Sequence, residues 1–402
     1  MTTTAPRLSD RRAYGYIAAF SAVFNAVLLV APVIATKLGE QFSLDALQVG
    51  AVFSVELGCF SLATIPAFLW LRNTDLRVVS LICLGIVILG NAVTAMIDSY
   101  ALLVVIRGLT ALGAGSVMVI VLSISAKTAN PSRAYGVFVA SQLAMGALIL
   151  AIFPALFSAQ PVSAIYWTLV VLCVLIIPAA WLLRGDELRR GRSSAETAGE
   201  PRPEAPAATG SLQIGPLLGG MAALLTFYIG LSGVWTYMAD VAVAGGTTLD
   251  EASTMLSLAT LVGVVSALLT TIVGEHRLYR WFVLIGYGLM ISSILLLLGG
   301  VPAFVFAISA MMFKFAWSWL LPFLMSAVSK VGGPQGMNAA NLMIGTGLAI
   351  GPLVAGGLID GSGGQFTSML IVSVCVLVVS IIASVYVMWA PKRRAAAAPA
   401  TA

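Results

Sequence analysis

Residues 185–213 read GDELRRGRSSAETAGEPRPEAPAATGSLQ, and this interval decides how the chain is organised. It is rich in Pro, Ala, Gly and charge and has almost nothing to bury, so it reads as a mobile linker. The sequence on both sides of it is overwhelmingly apolar. Of 402 residues, 60% are hydrophobic and 9% charged, with a mean hydropathy of +1.02. A soluble domain covers itself with about a quarter charged residues. This chain lacks that covering, so lipid must be the solvent for much of it. The net charge of +5 does not point to nucleic acid. Its basic residues lie between apolar runs instead of gathering on one patch.

A bilayer core of about 30 Å takes about 20 apolar residues per helix. That ruler places spans near 14–36, 46–70, 78–97, 101–125, 134–158 and 163–184 before the linker. After it come 214–240, 250–273, 279–299, 302–329, 336–359 and 366–389. The expected fold is therefore an all-α integral membrane protein of twelve transmembrane helices, six on each side of the linker. Its parts are an N-terminal bundle over 1–185, the linker over 186–213, a C-terminal bundle over 214–391 and a tail over 392–402.

Loop charge tests the count independently. With the N-terminus inside and sides alternating at each span, every Lys and Arg falls on a cytoplasmic segment except Lys37, Arg107 and Lys314. The outer loops carry mainly acids: Glu40, Asp45, Asp98, Asp250, Glu251 and Asp360. Such a bias is what the positive-inside rule demands, and one missed span would scramble it. The reading is a multi-pass protein of the inner (plasma) membrane with both termini cytoplasmic. It is expected to be monomeric. The first apolar run lacks the cleavage pattern of a signal peptide and reads as a retained span.

No cofactor or metal is expected. Cys59, Cys83, Cys173 and Cys375 sit inside apolar runs without pairing or ligand spacing and read as packing residues, and the lone His276 has no neighbouring ligand. No Ser/His, paired Asp or metal constellation for an enzyme lies within the spans. No repeated filter segment suggests a channel. No phosphate loop of the Gly-x-x-x-x-Gly-Lys type is present, so energy must come from an ion gradient.

The fourth span reads Arg107-Gly108-Leu109-Thr110-Ala111-Leu112-Gly113-Ala114-Gly115. Two six-span bundles, an inner linker and this segment resemble the major facilitator superfamily, whose signature there is Arg-x-x-x-Gly-x-Gly with Ala111 replacing the first glycine. The loop after span two, Arg72-Asn73-Thr74-Asp75-Leu76-Arg77, and its counterpart Arg277-Leu278-Tyr279-Arg280 keep the basic residues of that family's inner gate motif but not its glycines in register. In span eleven, Gly347 to Gly357 is similar to the family's Gly-x-x-x-Gly-Pro-x-x-Gly-Gly segment, which belongs in span five. The resemblance implies two pseudo-symmetric halves rocking about a central site near the midplane. It makes Arg72, Arg77, Arg277, Arg280, Gly351 and Pro352 candidate gating residues. The four arginines also fit simple topology determinants, and the glycines a tight, bendable helix contact.

Charge inside the bilayer costs at least roughly 2.5–3.5 kcal/mol, so each instance needs a reason. Three stand out: Glu56 in span two, Arg107 in span four and Lys314 in span ten. Spans four and ten are repeat equivalents, so Arg107 and Lys314 are expected to face a central cavity from opposite walls. Glu56 with Arg107 is the candidate proton-coupling pair, since burial favours the neutral carboxyl and a nearby guanidinium the ionised one. A static pair that merely neutralises two charges is the alternative. Lys314 is then left without an intramembrane acid, and an anionic substrate would complete its pairing. Tyr228, Trp235, Tyr237 and Trp317 place rings at cavity depth, with a helix break expected at Pro322. Asn25 and Gln142 are candidate polar cavity residues.

The sequence therefore points to a proton-coupled facilitator for a small organic anion, aromatic ones included, working by alternating access. A proton-coupled exporter of drugs or toxic metabolites on the same fold is the competing reading.

Overall fold

The computed structural model describes residues 10–71, 74–126, 128, 130–183, 214–273, 278–299 and 301–389. The linker, the tail, Arg72 and Arg277 lie outside the described residues. Every element among those described is helical. Ten helices are long and apolar enough to span a bilayer, beginning with Ala46–Ala67 and ending with Thr367–Trp389. Tyr279–Leu295 is a shorter apolar helix that fills the place of span nine. The first span completes the twelve in pieces: Asp10–Phe24, Ala26–Leu29 and Ala31–Phe42.

The interruptions have chemical causes. Pro32 lies in the first turn of Ala31–Phe42. It has no N–H to give the carbonyl of Leu28, which leaves the helix ladder open at the break. The equivalent seventh span is also divided, into Ile214–Thr236 and Met238–Ala244, with Tyr237 at φ −100° and ψ 12° between them. Span two breaks at Ala63 ahead of Pro66. The break expected at Pro322 does not occur. The backbone stays helical there, and Trp319 and Leu320 pack tightly against Gly286 of span nine. That packing holds the segment although Pro322 donates no bond of its own.

Spans ten and eleven form one continuous helical stretch, Ala303–Gly361. It cannot be a straight rod, which would exceed about 80 Å at 1.5 Å per residue. The chain folds back between Val328 and Gly336, since Gly336 approaches the carbonyl of Val328.

Span two packs along span eleven, and span five along span eight. These two seams join the N-terminal and C-terminal halves. Between lipid-soluble helices the attraction is close van der Waals contact and hydrogen bonding, which small residues permit. On the first seam Gly356 meets the carbonyl of Ala46, Gly50 meets that of Pro352, and Gly345 meets Ser61. At the end of the bundle away from the termini, one buried core runs through both halves, from Ile34, Phe53 and Phe153 to Val234 and Trp235. A second core, built on Tyr16, Phe20, Leu84 and Val121, stays within the N-terminal half.

Candidate functional site

Glu56 and Arg107 meet in the N-terminal half. Arg107 Nη2 pairs with Glu56 Oε1, and its Nε donates to Oε2 at 3.2 Å. Nη1 donates to Asn91 Oδ1 at 2.9 Å, and the guanidinium carbon lies 5.0 Å from the centroid of the Tyr166 ring. Spans two, three, four and six thus each contribute one side chain to a single buried charge. The planar fork of arginine suits this, because its donors can serve a carboxylate and an amide together. Asn91 and Tyr166 escaped the sequence reading. A lone amide inside an apolar span is a usable signal for the first. Nothing in the sequence marks the second. The Tyr166 hydroxyl is buried and has no hydrogen-bond partner among the described residues.

A cavity of about 60 Å³ opens beside the pair. Asn25, Glu56, Asn91, Arg107 and Thr110 give it polarity, and Phe24, Phe53, Leu57 and Phe60 the rest of its wall. Leu348 closes it from the C-terminal half. It is roomy enough for a few waters. Asn25 sits at the break in span one and donates to Ser21 O and Met118 Sδ. Gln142 is half-buried in span five and does not line this cavity.

Lys314 occupies a different environment. It is 1% exposed, and its Nζ lies 3.6 Å from the centroid of Trp235 and 4.0 Å from that of Trp317. The two indoles meet edge to face at 5.9 Å, and Phe313 stacks on Trp235 at 6.2 Å. Among the described residues no carboxylate pairs with Lys314. The Trp235 and Trp317 rings thus take up the protein's own cation, held over their negative faces. Tyr228 is buried one turn from Ser232 and packs against Gly347.

Trp235 and Tyr237 also reach the other half. The Trp235 indole donates to Leu28 O at 2.9 Å, and the Tyr237 hydroxyl donates to Ala46 O at 2.5 Å with Pro352 O at 3.4 Å. Further bonds between the halves run from Thr36 to Asp240, Ser158 to Asp250, Ser257 to Ala147 O and Leu353 N to Ser54. All fall between the middle of the bundle and the end away from the termini.

Of the remaining candidates, Gly351 packs against Ser232 and Ile229 within its own half, while Pro352 faces Gly50 across the seam. Arg77 lies 4.6 Å over Trp181 and Arg280 lies 4.9 Å over Trp389. Both rings are about half exposed, so these arginines sit beside the belt tryptophans near the span ends.

The family model described as Major Facilitator Superfamily matches residues 15–338. No curated protein matches the sequence. Among solved structures, the nucleoside transporter NupG superposes with a TM-score of 0.68 at 12% identity, covering 94% of this chain and 98% of its own. A D-xylose–proton symporter gives 0.70 at 12% identity, with 95% and 97% covered. A bacterial homologue of the human lysosomal transporter Spinster, solved inward-facing and unoccupied, gives 0.66 at 14%, with 95% and 99% covered. At these identities the likeness is one of fold.

Proposed function

This chain belongs to the Major Facilitator Superfamily, and from that premise we propose that it carries a small organic anion, coupled to protons by alternating access. Membership makes it a multi-pass membrane transporter and not an enzyme. The observation that carries the substrate class is Lys314: fully buried, paired with no carboxylate among the described residues, and held over two indoles. A buried ammonium stabilised by rings alone is under-compensated, because its alternative partner is bulk water. An organic carboxylate supplies the missing charge, and one that draws the ammonium away would free an indole face for a flat ring.

Glu56 is the proposed proton switch. Its carboxyl group meets the Arg107 guanidinium through both oxygens. A proton arriving through the adjoining cavity would neutralise it and loosen the pair, freeing Arg107 toward Asn91 and Tyr166. Asn25 lines that path. Rocking of the halves then alternates the two environments of Glu56. The loop-charge bias supports cytoplasmic termini and an inner-membrane location, and the protein is proposed to work as a monomer in the bilayer.

The test is thermal stabilisation of the purified protein by a panel of organic anions, benzoate among them, repeated in Lys314→Ala. Stabilisation by carboxylates that Lys314→Ala loses is the expected result. Undiminished binding in that variant overturns the anion reading. The phenylalanine-lined wall beside Glu56 favours one second reading, export of lipophilic compounds. Stabilisation by neutral lipophiles, indifferent to Lys314, would select it.

A further inference from the structure

A second buried carboxylate meets the opposite half, and among the described residues no cation pairs with it. Asp240, in the short helix Met238–Ala244, accepts from Thr36 Oγ1 of span one at 2.7 Å. The same Oγ1 lies 3.1 Å from the carbonyl of Pro32. A threonine hydroxyl carries one proton, and here two acceptors face it. When Asp240 is ionised, the two acceptors share one hydrogen, as the carbonyls of Tyr228 and Gly347 share that of Ser232 Oγ. When Asp240 is protonated, its own O–H donates to Thr36 while Thr36 donates to Pro32 O, and each contact has its own hydrogen. With one hydroxyl and, among the described residues, no cation to meet it, the carboxyl between the halves is better satisfied with a proton than without.

The charged neighbours supply no cation to Asp240. Glu40, on the same helix as Thr36, adds negative charge near Asp240. Lys37 turns away: its Nζ donates to Ser158 O at 2.6 Å and lies 4.0 Å from Glu40. Tyr237, on Asp240's own side, spends its hydroxyl on Ala46 O. Asp45 accepts from Gln48 N as the cap of span two. From the adjoining helix Leu249–Val273, Asp250 accepts from Ser158 Oγ at 2.8 Å, and Glu251 accepts from Thr248. Asp250 is the carboxylate to compare. It also bonds a hydroxyl of the other half, and its Oδ1 is buried without a hydrogen-bond partner among the described residues, so its own variant is the necessary control.

We propose that Asp240 is a proton-binding site, filled when the two halves meet at the end away from the termini and emptied when they part. Parting wets the carboxyl and removes Thr36, and water favours the ionised form. Closing therefore takes up one proton, so acid favours the closed end and alkali opens it. The site is distinct from Glu56, which has its own cation. The inference takes only the rocking of the halves from the function proposed above.

The test places spin labels on cysteines at Ser99 and Gln365, exposed positions of the two halves at that end, and follows their separation in the full-length protein. Between about pH 5 and pH 9 the open-to-closed ratio should rise with pH, by up to about tenfold per unit for one linked proton. Asp240→Asn, which keeps a donor for Thr36 at every pH, should hold the end closed and flatten the response. Asp250→Asn should keep it. A flat response in the wild type, or one that survives in Asp240→Asn, overturns the proposal, as does a response lost in Asp250→Asn instead. If Asp240→Asn does not fold, infrared spectra of the wild type with ¹³C-labelled aspartate decide: a protonated-carboxyl band must disappear as the labels separate. Retained Lys314-dependent anion binding with a failed Asp240 test separates this proposal from the substrate reading.

Discussion

The indole N–H of Trp235 donates across the halves to the carbonyl of Leu28 at 2.9 Å. That carbonyl is free because Pro32, four residues on, has no N–H to fill it. The face of the same ring carries the ammonium of Lys314 at 3.6 Å. One side chain therefore touches the buried cation of the C-terminal half and the broken helix of the N-terminal half. An anion that draws Lys314 off the ring alters a group already bonded to the opposite bundle.

Trp235→Phe keeps an aromatic face for Lys314 and removes only the N–H. A hydrogen bond of this kind contributes about 1 kcal/mol net. The closed arrangement should lose about fivefold in population against the open one, read as a change in inter-half spin-label distances. Anion affinity should change much less. Equal populations in variant and wild type would show that the Leu28 bond does not help hold the halves together.

The number of spans and the division into halves were legible because both rest on run length, which lipid enforces directly. The interruption at Asn25 and Val30 was not, although Pro32 was in view. Proline predicts a missing bond, but where the backbone gives way depends on which neighbour fills the freed carbonyl. Pro322 shows the converse, since packing on Gly286 keeps that helix intact. Within the site, Glu56 and Arg107 were found because charge in an apolar run is conspicuous. The aromatic seat of Lys314 was not, because ring orientation over a cation is set by tertiary packing and leaves no spacing rule. The part Asp240 plays comes from Thr36, some 200 residues away in sequence, and no spacing rule connects the two.

Lys314→Met replaces the ammonium by an apolar chain of similar length. Because the cation has no carboxylate among the described residues, its removal should leave the melting temperature of the unliganded protein equal or higher. Stabilisation by benzoate should at the same time fall at least tenfold in apparent affinity. A melting temperature that collapses without ligand would mean that the cation–ring contacts are structural.

Glu56→Gln and Arg107→Gln should each be costly, about 3–5 kcal/mol, since each leaves the other charge buried and alone. The double variant should cost clearly less than the sum, because the two share one interaction. Urea or thermal unfolding of the four proteins in one detergent measures this. Proton-driven transport in liposomes should be lost in Glu56→Gln even where folding is preserved by the second substitution. Persistent proton coupling in a folded double variant would move the switch away from this pair.

The seam between spans two and eleven yields the sharpest steric prediction. A Cβ built on Gly356 meets the carbonyl of Ala46 and lies 2.6 Å from the Tyr237 hydroxyl, which itself bonds Ala46 O. Backbone carbonyls on a packed helix cannot step aside as a flexible side chain can, so Gly356→Ala must push the two halves apart there. Gly85→Ala is the matched control, since nothing lies within 4 Å of a Cβ at that position. Gly356→Ala should shift the spin-label distances at the end away from the termini toward separation and slow any transport cycle that passes through closure. Gly85→Ala should behave as wild type. If Gly356→Ala closes normally, the contact between spans two and eleven is looser than the glycine pattern requires, and span five against span eight must carry the closed end instead.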